Sequence, residues 1–281
     1  MSKAVRIFQG TFGRVALLDM TEPLVVHAHS QCHVLLKAGG ADTFFRVQDV
    51  DHPLRDDTAV LVNTWEPHCY AHRPAAPRSL ILALYIEPFW LAAIDGSFKS
   101  SIHPRFFPRP GADLGPAVRR LAERLTEEML YDGELDERAL EALMCAIIAH
   151  FSGFRDADVL GIARLSTDFR IRKAVAHMRA HPSDRVDIDA LARLAGLSRP
   201  HFFELFRRCT RLTPGVFGNV LRMESAIRTL SERVTPLGEI ADALGFSAPG
   251  HFTRFFRHHL GVSPSEYRRV VSLVEAEGPA A

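Results

Sequence analysis

Four histidines, His27, His29, His33 and His68, have the residue type and spacing for metal or ligand chemistry. Neutral imidazole nitrogens suit zinc, iron, copper or nickel, and neighbouring strands could bring four rings into one cavity. The same rings could instead line a pocket for an organic effector, with Trp65 near them. A second set lies at outward positions of two short helical segments: Arg199, Pro200, Phe203, Glu204, Arg207 and Arg208, then Pro249, Gly250, His251, Thr253, Arg254 and Arg257. Arginine there can donate two hydrogen bonds to guanine or pair with phosphate, and Phe203 can touch a thymine methyl. Glu204 could accept from cytosine N4 or orient Arg208 one turn on. Neither set is joined by an acid/base carboxylate pair or a nucleophile motif, so catalytic residues are not expected.

The elements that position the second set are written twice. The first copy is Leu191-Ala192-(x)3-Gly196-Leu197-Ser198-(x)3-Phe202-(x)3-Phe206-Arg207, and the second is Ile240-Ala241-(x)3-Gly245-Phe246-Ser247-(x)4-Phe252-(x)3-Phe256-Arg257. Each spells a short helix, a glycine that ends it in the left-handed conformation, a plug residue, a serine cap and a second helix burying two phenylalanines. This is a helix-turn-helix, whose second helix can enter a DNA major groove. Thr213-Pro214 starts a long helix between the copies, striped by Phe217, Leu221, Ala226 and Leu230. Ser263-Pro264-Ser265-Glu266 repeats that start as a capping box.

In these marks, and in Pro214-(x)2-Phe217-(x)4-Arg222-(x)3-Ala226-(x)2-Leu230 and Gly261-(x)2-Pro264, residues 168–269 resemble the DNA-binding domain of AraC-type transcription factors. Arg211 departs from the pattern, standing where the second copy has Gly261. The resemblance implies a sequence-specific regulator, more typically an activator, that works with promoter DNA, a small-molecule effector and RNA polymerase.

Residues 15–18, 24–29, 33–37, 43–47, 59–63 and 80–86 read as short strands divided by turn residues, including a turn over 49–53. Such spacing predicts a jelly roll or barrel. His27-Ala28-His29-(x)3-His33-(x)6-Gly40 followed by Trp65-Glu66-Pro67-His68 resembles a cupin barrel. His33 stands at the acidic position of the metal-binding motif, and His72 replaces its usual asparagine. Sensor cupins of this kind usually lack the metal, so no cofactor is expected, with a divalent transition metal the alternative reading. A metal-dependent cupin enzyme or metal sensor fused to a DNA-binding module is the alternative function. Gln31-Cys32-His33-Val34 does not supply the Pro-Cys-His-Arg site of methyl-accepting regulators. Alternation should turn Cys32 and Cys69 away from the neighbouring histidines.

The fold expected is α+β with two domains: an effector-binding barrel over 1–110, a helical hairpin over 111–152, a linker over 153–167, a double helix-turn-helix domain over 168–271 and a tail over 272–281. Helices at 114–131 and 136–151, broken at Asp132-Gly133, could cover the barrel or form a homodimer contact. Net charge is +1, but residues 168–271 hold 17 Lys and Arg against 10 Asp and Glu, while 1–167 hold 17 against 21. The basic half therefore coincides with the repeat, as phosphate binding requires. No apolar run is long enough to span a bilayer, Met1-Ser2-Lys3 leads into no signal-type segment, and the four cysteines form no CxxC pair. A cytoplasmic location without membrane contact is expected.

Overall fold

The computed structural model describes residues 2–72, 76–94, 106–131, 137–151, 168–232 and 235–274. Apolar strands β1 (Lys3–Gly10), β2 (Gly13–Met20), β3 (Cys32–Gly40), β6 (Thr58–Val62) and β8 (Ser79–Ile86) build the larger of two sheets. Strands β9 (Gly111–Asp113) and β10 (Val271–Leu273) close its edges, giving the order β10-β1-β2-β8-β3-β6-β9. The smaller sheet is β5-β4-β7, from β4 (Thr43–Val47), β5 (Val50–Leu54) and β7 (His68–Tyr70).

Strand alternation sorts each side chain of the large sheet into one of two cores. Leu35, Val60, Val62, Ile81 and Ala83 face Phe45, Val47, Leu54 and Tyr70 of the small sheet. Val34, Leu36, Leu61, Leu82 and Leu84 point the other way, towards α2 (Pro116–Leu130) and α3 (Glu137–Phe151), with Cys32 among them. The helical pair thus covers the outer face of the sheet through residues such as Val118, Leu125, Met129, Ile147 and Phe151. A short helix α1 (Pro88–Ile94) follows β8.

The helical part runs α4 (Phe169–Ala180), α5 (Ile188–Ala195), α6 (Arg199–Thr210), α7 (Pro214–Ser231), α8 (Leu237–Ala243), α9 (Pro249–Leu260) and α10 (Pro264–Val270). The chain is therefore α+β in two parts, a sheet-rich N-terminal part and a helical C-terminal part. Asp168 caps α4, Asp187 caps α5 and Thr213 caps α7, each side chain accepting from backbone N–H groups of its first turn.

Several expectations are altered. Residues 24–29 form no strand; their backbone is shared among Tyr70, His258 and His68, through Leu24 N, Val25 N and the His27–His68 bridge. The turn expected over 49–53 is largely β5, because Val50 to Leu54 pairs with β4 in a continuous antiparallel register. Ser198 sits at the N-cap of α6 without a side-chain bond to it. Ala248 rather than Ser247 is the N-cap of α9, and the Ser247 hydroxyl instead meets His251 Nδ1 at 2.9 Å. Ser263 does cap α10, but Glu266 turns to accept from Ala4 N at 3.2 Å, joining α10 to β1. Residues 271–273, read as the end of one domain and the start of a tail, run parallel to β1 in the large sheet. The linker at 153–167 and the break at Asp132-Gly133 lie outside the described residues.

Candidate functional site

The two helix-turn-helix units are α5–α6 and α8–α9. Gly196 and Gly245 occupy the left-handed region with φ of 66° and 73°, the conformation that lets each chain turn from one helix into the next. Phe202 and Phe206 are buried on α6, as Phe252 and Phe256 are on α9. Burial of these rings fixes which face of each second helix remains outside. Arg199, Pro200, Glu204, Arg207 and Arg208 are exposed on α6, with Phe203 half-buried. On α9, Pro249, Gly250, His251 and Arg254 are exposed, while Thr253 and Arg257 are half-buried.

Within the described residues, Arg254 and Arg207 make no side-chain hydrogen bond or ion pair, so their donors remain available to a ligand. Arg199 is held by Asp189 at 2.9 Å. The expected link from Glu204 to Arg208 is not formed among the described residues; Arg208 acts instead on Asp168 at the cap of α4, whose carboxyl is lowered to about 2, chiefly by its hydrogen bond with Arg170. Thr253 spends its hydroxyl on Pro249 O at 3.0 Å.

In the sheet domain, His29, His33 and His68 bring one ring nitrogen each to within 4.8 Å of the others, all three residues buried. Carbonyls fix their tautomers: His29 Nδ1 faces Gln31 O at 2.9 Å and His68 Nδ1 faces Glu66 O at 2.9 Å. Each Nδ1 therefore carries the proton, and each Nε2 offers a lone pair. His33 Nδ1 lies 3.2 Å from His29 Nε2, while His33 Nε2 and His68 Nε2 are buried without a hydrogen-bond partner. Burial first, then the neighbouring imidazoles, holds His33 well below its ordinary range. Burial likewise brings His29 and His68 down to about 3. A set of neutral, lone-pair-bearing rings fits a borderline transition metal in its donor chemistry. His27 stands outside this trio, although its Nδ1 likewise faces a carbonyl, that of Val25, and its ring packs 4.3 Å from that of His68.

Trp65 does not join the histidines. A positive φ of 60° turns it towards α7, where its indole stacks on Phe217. Beside His27 and His29 lies a cavity of about 330 Å³ between the two parts of the chain, lined also by Arg14, Tyr85, Met223 and Leu260. Arg14 is 6% exposed, with its guanidinium carbon 3.8 Å from the Tyr85 ring centroid. Burial opposes its charge, but the Tyr267 and Tyr85 phenols outweigh that and raise its pKa. Sequence reasoning passed over this residue; the available signal was one arginine opening the apolar run Gly13-Arg14-Val15-Ala16-Leu17-Leu18.

The two parts are joined around that cavity. Ser30 Oγ donates to Glu224 of α7 at 2.7 Å, and Val25 N donates to His258 O of α9 at 3.0 Å. Gln9 Oε1 accepts from both Ser231 and Tyr267. The second helix-turn-helix unit, through Ile240, Phe252, Phe256 and Leu260, shares one apolar core with the sheets.

Comparison with known proteins places these features. A family described as a helix-turn-helix domain matches residues 191–270. An uncharacterized helix-turn-helix transcriptional regulator of Haemophilus influenzae is 32% identical over 40% of this chain and 38% of its own length. The transcriptional regulator MtrA of Neisseria gonorrhoeae is 26% identical over 47% of this chain and 44% of its own. The chain thus matches less than half the length of these relatives. Across nearly the whole molecule, the fold is that of ToxT from Vibrio cholerae: an apo form gives a TM-score of 0.56 at 10% identity, covering 92% of this chain and 97% of that one. A ToxT structure with an unsaturated fatty acid bound gives 0.53 at 11% identity, covering 92% and 94%.

Proposed function

We infer that this chain, which carries an AraC-type helix-turn-helix domain over residues 191–270, is a sequence-specific DNA-binding transcriptional regulator governed by a small effector held by its N-terminal domain. The observation that carries the reading is the repeated unit itself: two glycine-turned helix pairs, each burying two phenylalanines and leaving the start of its second helix exposed. Helix starts present N–H groups and first-turn side chains to a duplex. Arg254 reads guanine, Phe203 contacts thymine methyls, and Arg207, Arg208 and Arg257 hold phosphates, with Arg199, Pro200, Glu204, Pro249, Gly250, His251 and Thr253 completing the two surfaces. The relatives it matches are named as transcriptional regulators.

Effector control works through the joint between the parts. His27, His29, His33 and His68 belong to the effector-responsive region, and Trp65 transmits from it to α7. The cupin-like domain, the homodimer through residues 111–152, where Leu130 and Tyr131 are 55% and 69% exposed, and contact with RNA polymerase during activation complete the proposal for a cytoplasmic protein. Among the described residues no helix is long and apolar enough to cross a membrane.

A second reading, a metal-responsive regulator, is favoured by the two unpartnered buried nitrogens of His33 and His68. A bound metal would supply a fixed positive charge drawing the three rings together, and the carbonyls of Gln31 and Glu66 would orient two of them.

Selection of bound fragments from genomic DNA, followed by footprinting at moderate salt, tests the principal reading. Two protected segments about 34 Å apart along one duplex are expected. Protection without any sequence preference, under all effector conditions, would remove it.

A further inference from the structure

Arg211 closes α6 with φ of 63° and ψ of 1°, and its backbone N–H donates to Arg207 O at 2.8 Å. Gly261 closes α9 through the matching bond to Arg257 O, also 2.8 Å, but its surroundings differ. It is buried, and a Cβ there would lie 2.9 Å from Met20 Cε and 3.4 Å from Leu24 Cδ2. Val25 N also donates to His258 O beside it. The end of α9 is thus covered by the sheet part. The end of α6 is open: Arg211 is exposed, and its side chain makes no hydrogen bond or ion pair with a described residue.

An L side chain in the left-handed region carries a conformational cost that glycine avoids. No contact within the fold offsets it at Arg211. Asp168, at the start of α4, is engaged by Arg170 through bonds of 3.0 and 2.7 Å. The dipole of α6 favours a cation at this end, but Arg207 and Arg208 already supply two in its last turn. A further arginine adds like-charge repulsion there. That arrangement suits a polyanion. Arg211 also extends the exposed stripe of Pro200, Glu204 and Arg207, at spacings of four, three and four residues. Strain held at an exposed position on a binding face points to function.

We propose that the C-terminal end of α6 grips the phosphate backbone of DNA with Arg211 at its tip, a contact that the second unit lacks at its own covered end. A guanidinium forks onto phosphate oxygens whatever the base, and the ends of recognition helices meet the backbone in other DNA-binding folds. The two heads are therefore unequal, with the first carrying an added anchorage that reads no sequence. The proposal rests on the regulator reading and adds to it a residue that holds the duplex.

Full-length wild type, Arg211→Gly, Arg211→Asn and Arg211→Lys should be compared by anisotropy over a salt series, on a duplex chosen by selection and on random duplex. Asparagine tolerates the left-handed backbone, so it removes the charge without changing the turn. Losing one phosphate contact should lower the slope of log K against log salt by about 0.9, which is roughly eightfold in affinity near 0.1 M salt. Arg211→Gly and Arg211→Asn should both show this loss, equally on the two duplexes, while Arg211→Lys keeps most of the binding. The melting temperature of Arg211→Gly should equal or exceed that of wild type, which excludes misfolding as the cause. Wild-type slopes in the glycine and asparagine variants overturn the proposal. So does a loss confined to the selected duplex, which marks a base contact, or a loss in the glycine variant alone, which marks backbone geometry. Unchanged DNA binding with lost transcription in the presence of RNA polymerase assigns Arg211 to a protein contact and overturns it too. Wild-type sequence preference alongside any of these results sinks this contact alone, whereas wild type without preference sinks the regulator reading.

Discussion

The indole of Trp65 lies nearly flat against the ring of Phe217, with centroids 5.2 Å apart and planes at 18°. Trp65 belongs to the turn between β6 and β7, and its backbone N–H donates to His29 O at 2.8 Å. Phe217 belongs to the first turns of α7, the helix that joins the two reading units, and its ring also meets Phe206 of α6 edge-on at 5.6 Å. A single chain of contacts therefore runs from the histidine-bearing loop to the first reading helix. Arg179 of α4 adds its guanidinium 5.5 Å from the indole.

If that chain carries the effector signal, Trp65→Ala should leave DNA binding in place and abolish its dependence on effector. A double-mutant cycle with Phe217→Ala should give a coupling energy of about 0.5–1.5 kcal/mol from the stacked pair. Chemical denaturation supplies the cycle and anisotropy on operator DNA supplies the effector dependence. Additive energies, or a regulatory response that survives Trp65→Ala, would remove this route.

Arg254 and the α6 arginines should separate by kind of loss. Arg254→Ala should cost about 1–3 kcal/mol on the preferred site and relax choice at one base pair. Arg207→Ala and Arg208→Ala should weaken all sequences about equally, each lowering the slope of log K against log salt by about 1. Equal losses on specific and random DNA for Arg254→Ala would reassign it to the phosphate group.

The helical half was legible because it is written twice and because its main signals are local: glycine turn and phenylalanine pair lie within a few residues of the helix they shape, although the serines between them do not cap as expected. The sheet half was less so. Val50 to Leu54 contains Asp51 and Pro53 and reads as a turn until β4 offers it a partner. Val271 to Leu273 is three residues long and pairs with Ile7 to Gln9 at the opposite end of the sequence, a match no local pattern announces. The histidines were legible by type, but that His27 stands apart from the trio depends on the distances between ring nitrogens in the packed structure. Arg14 was invisible for a similar reason. Its burial among Tyr85 and Tyr267 is set by residues far away in the sequence, and only the packed structure shows that.

The metal-responsive reading makes its own demand on His29, His33 and His68. One equivalent of Zn²⁺ or Co²⁺ should raise the melting temperature, by about 2.7 kcal/mol of added stability at a free concentration 100 times Kd, and chelation should reverse it. His68→Gln, which removes a buried lone pair aimed at the trio, should abolish the shift. Arg254→Ala should not touch it. If wild-type protein shows no metal-dependent shift, the metal-responsive reading is removed.

The two reading helices end in the same left-handed backbone at equivalent positions, met by different residues. Arg211 follows α6 with φ of 63°, and Gly261 follows α9 with φ of 82°. A left-handed backbone costs an L side chain about 1–2 kcal/mol, and glycine forgoes that cost while adding freedom to the unfolded chain worth about 0.4–1 kcal/mol. Arg211→Gly should therefore be stabilising by a net of about 0.5–1 kcal/mol. Gly261→Ala meets both the strained φ and an obstruction, because a Cβ there would approach Met20 Cε at 2.9 Å and Sδ at 3.2 Å. Met20 belongs to β2, and its buried terminal methyl must shift to make room. Gly261→Ala should lower the melting temperature and, where Met20→Ala is added, recover part of the loss, since the smaller side chain removes the collision and leaves only the backbone strain. Indifference of the Gly261→Ala loss to residue 20 would mean that the contact between the second unit and the sheet domain does not bear on stability.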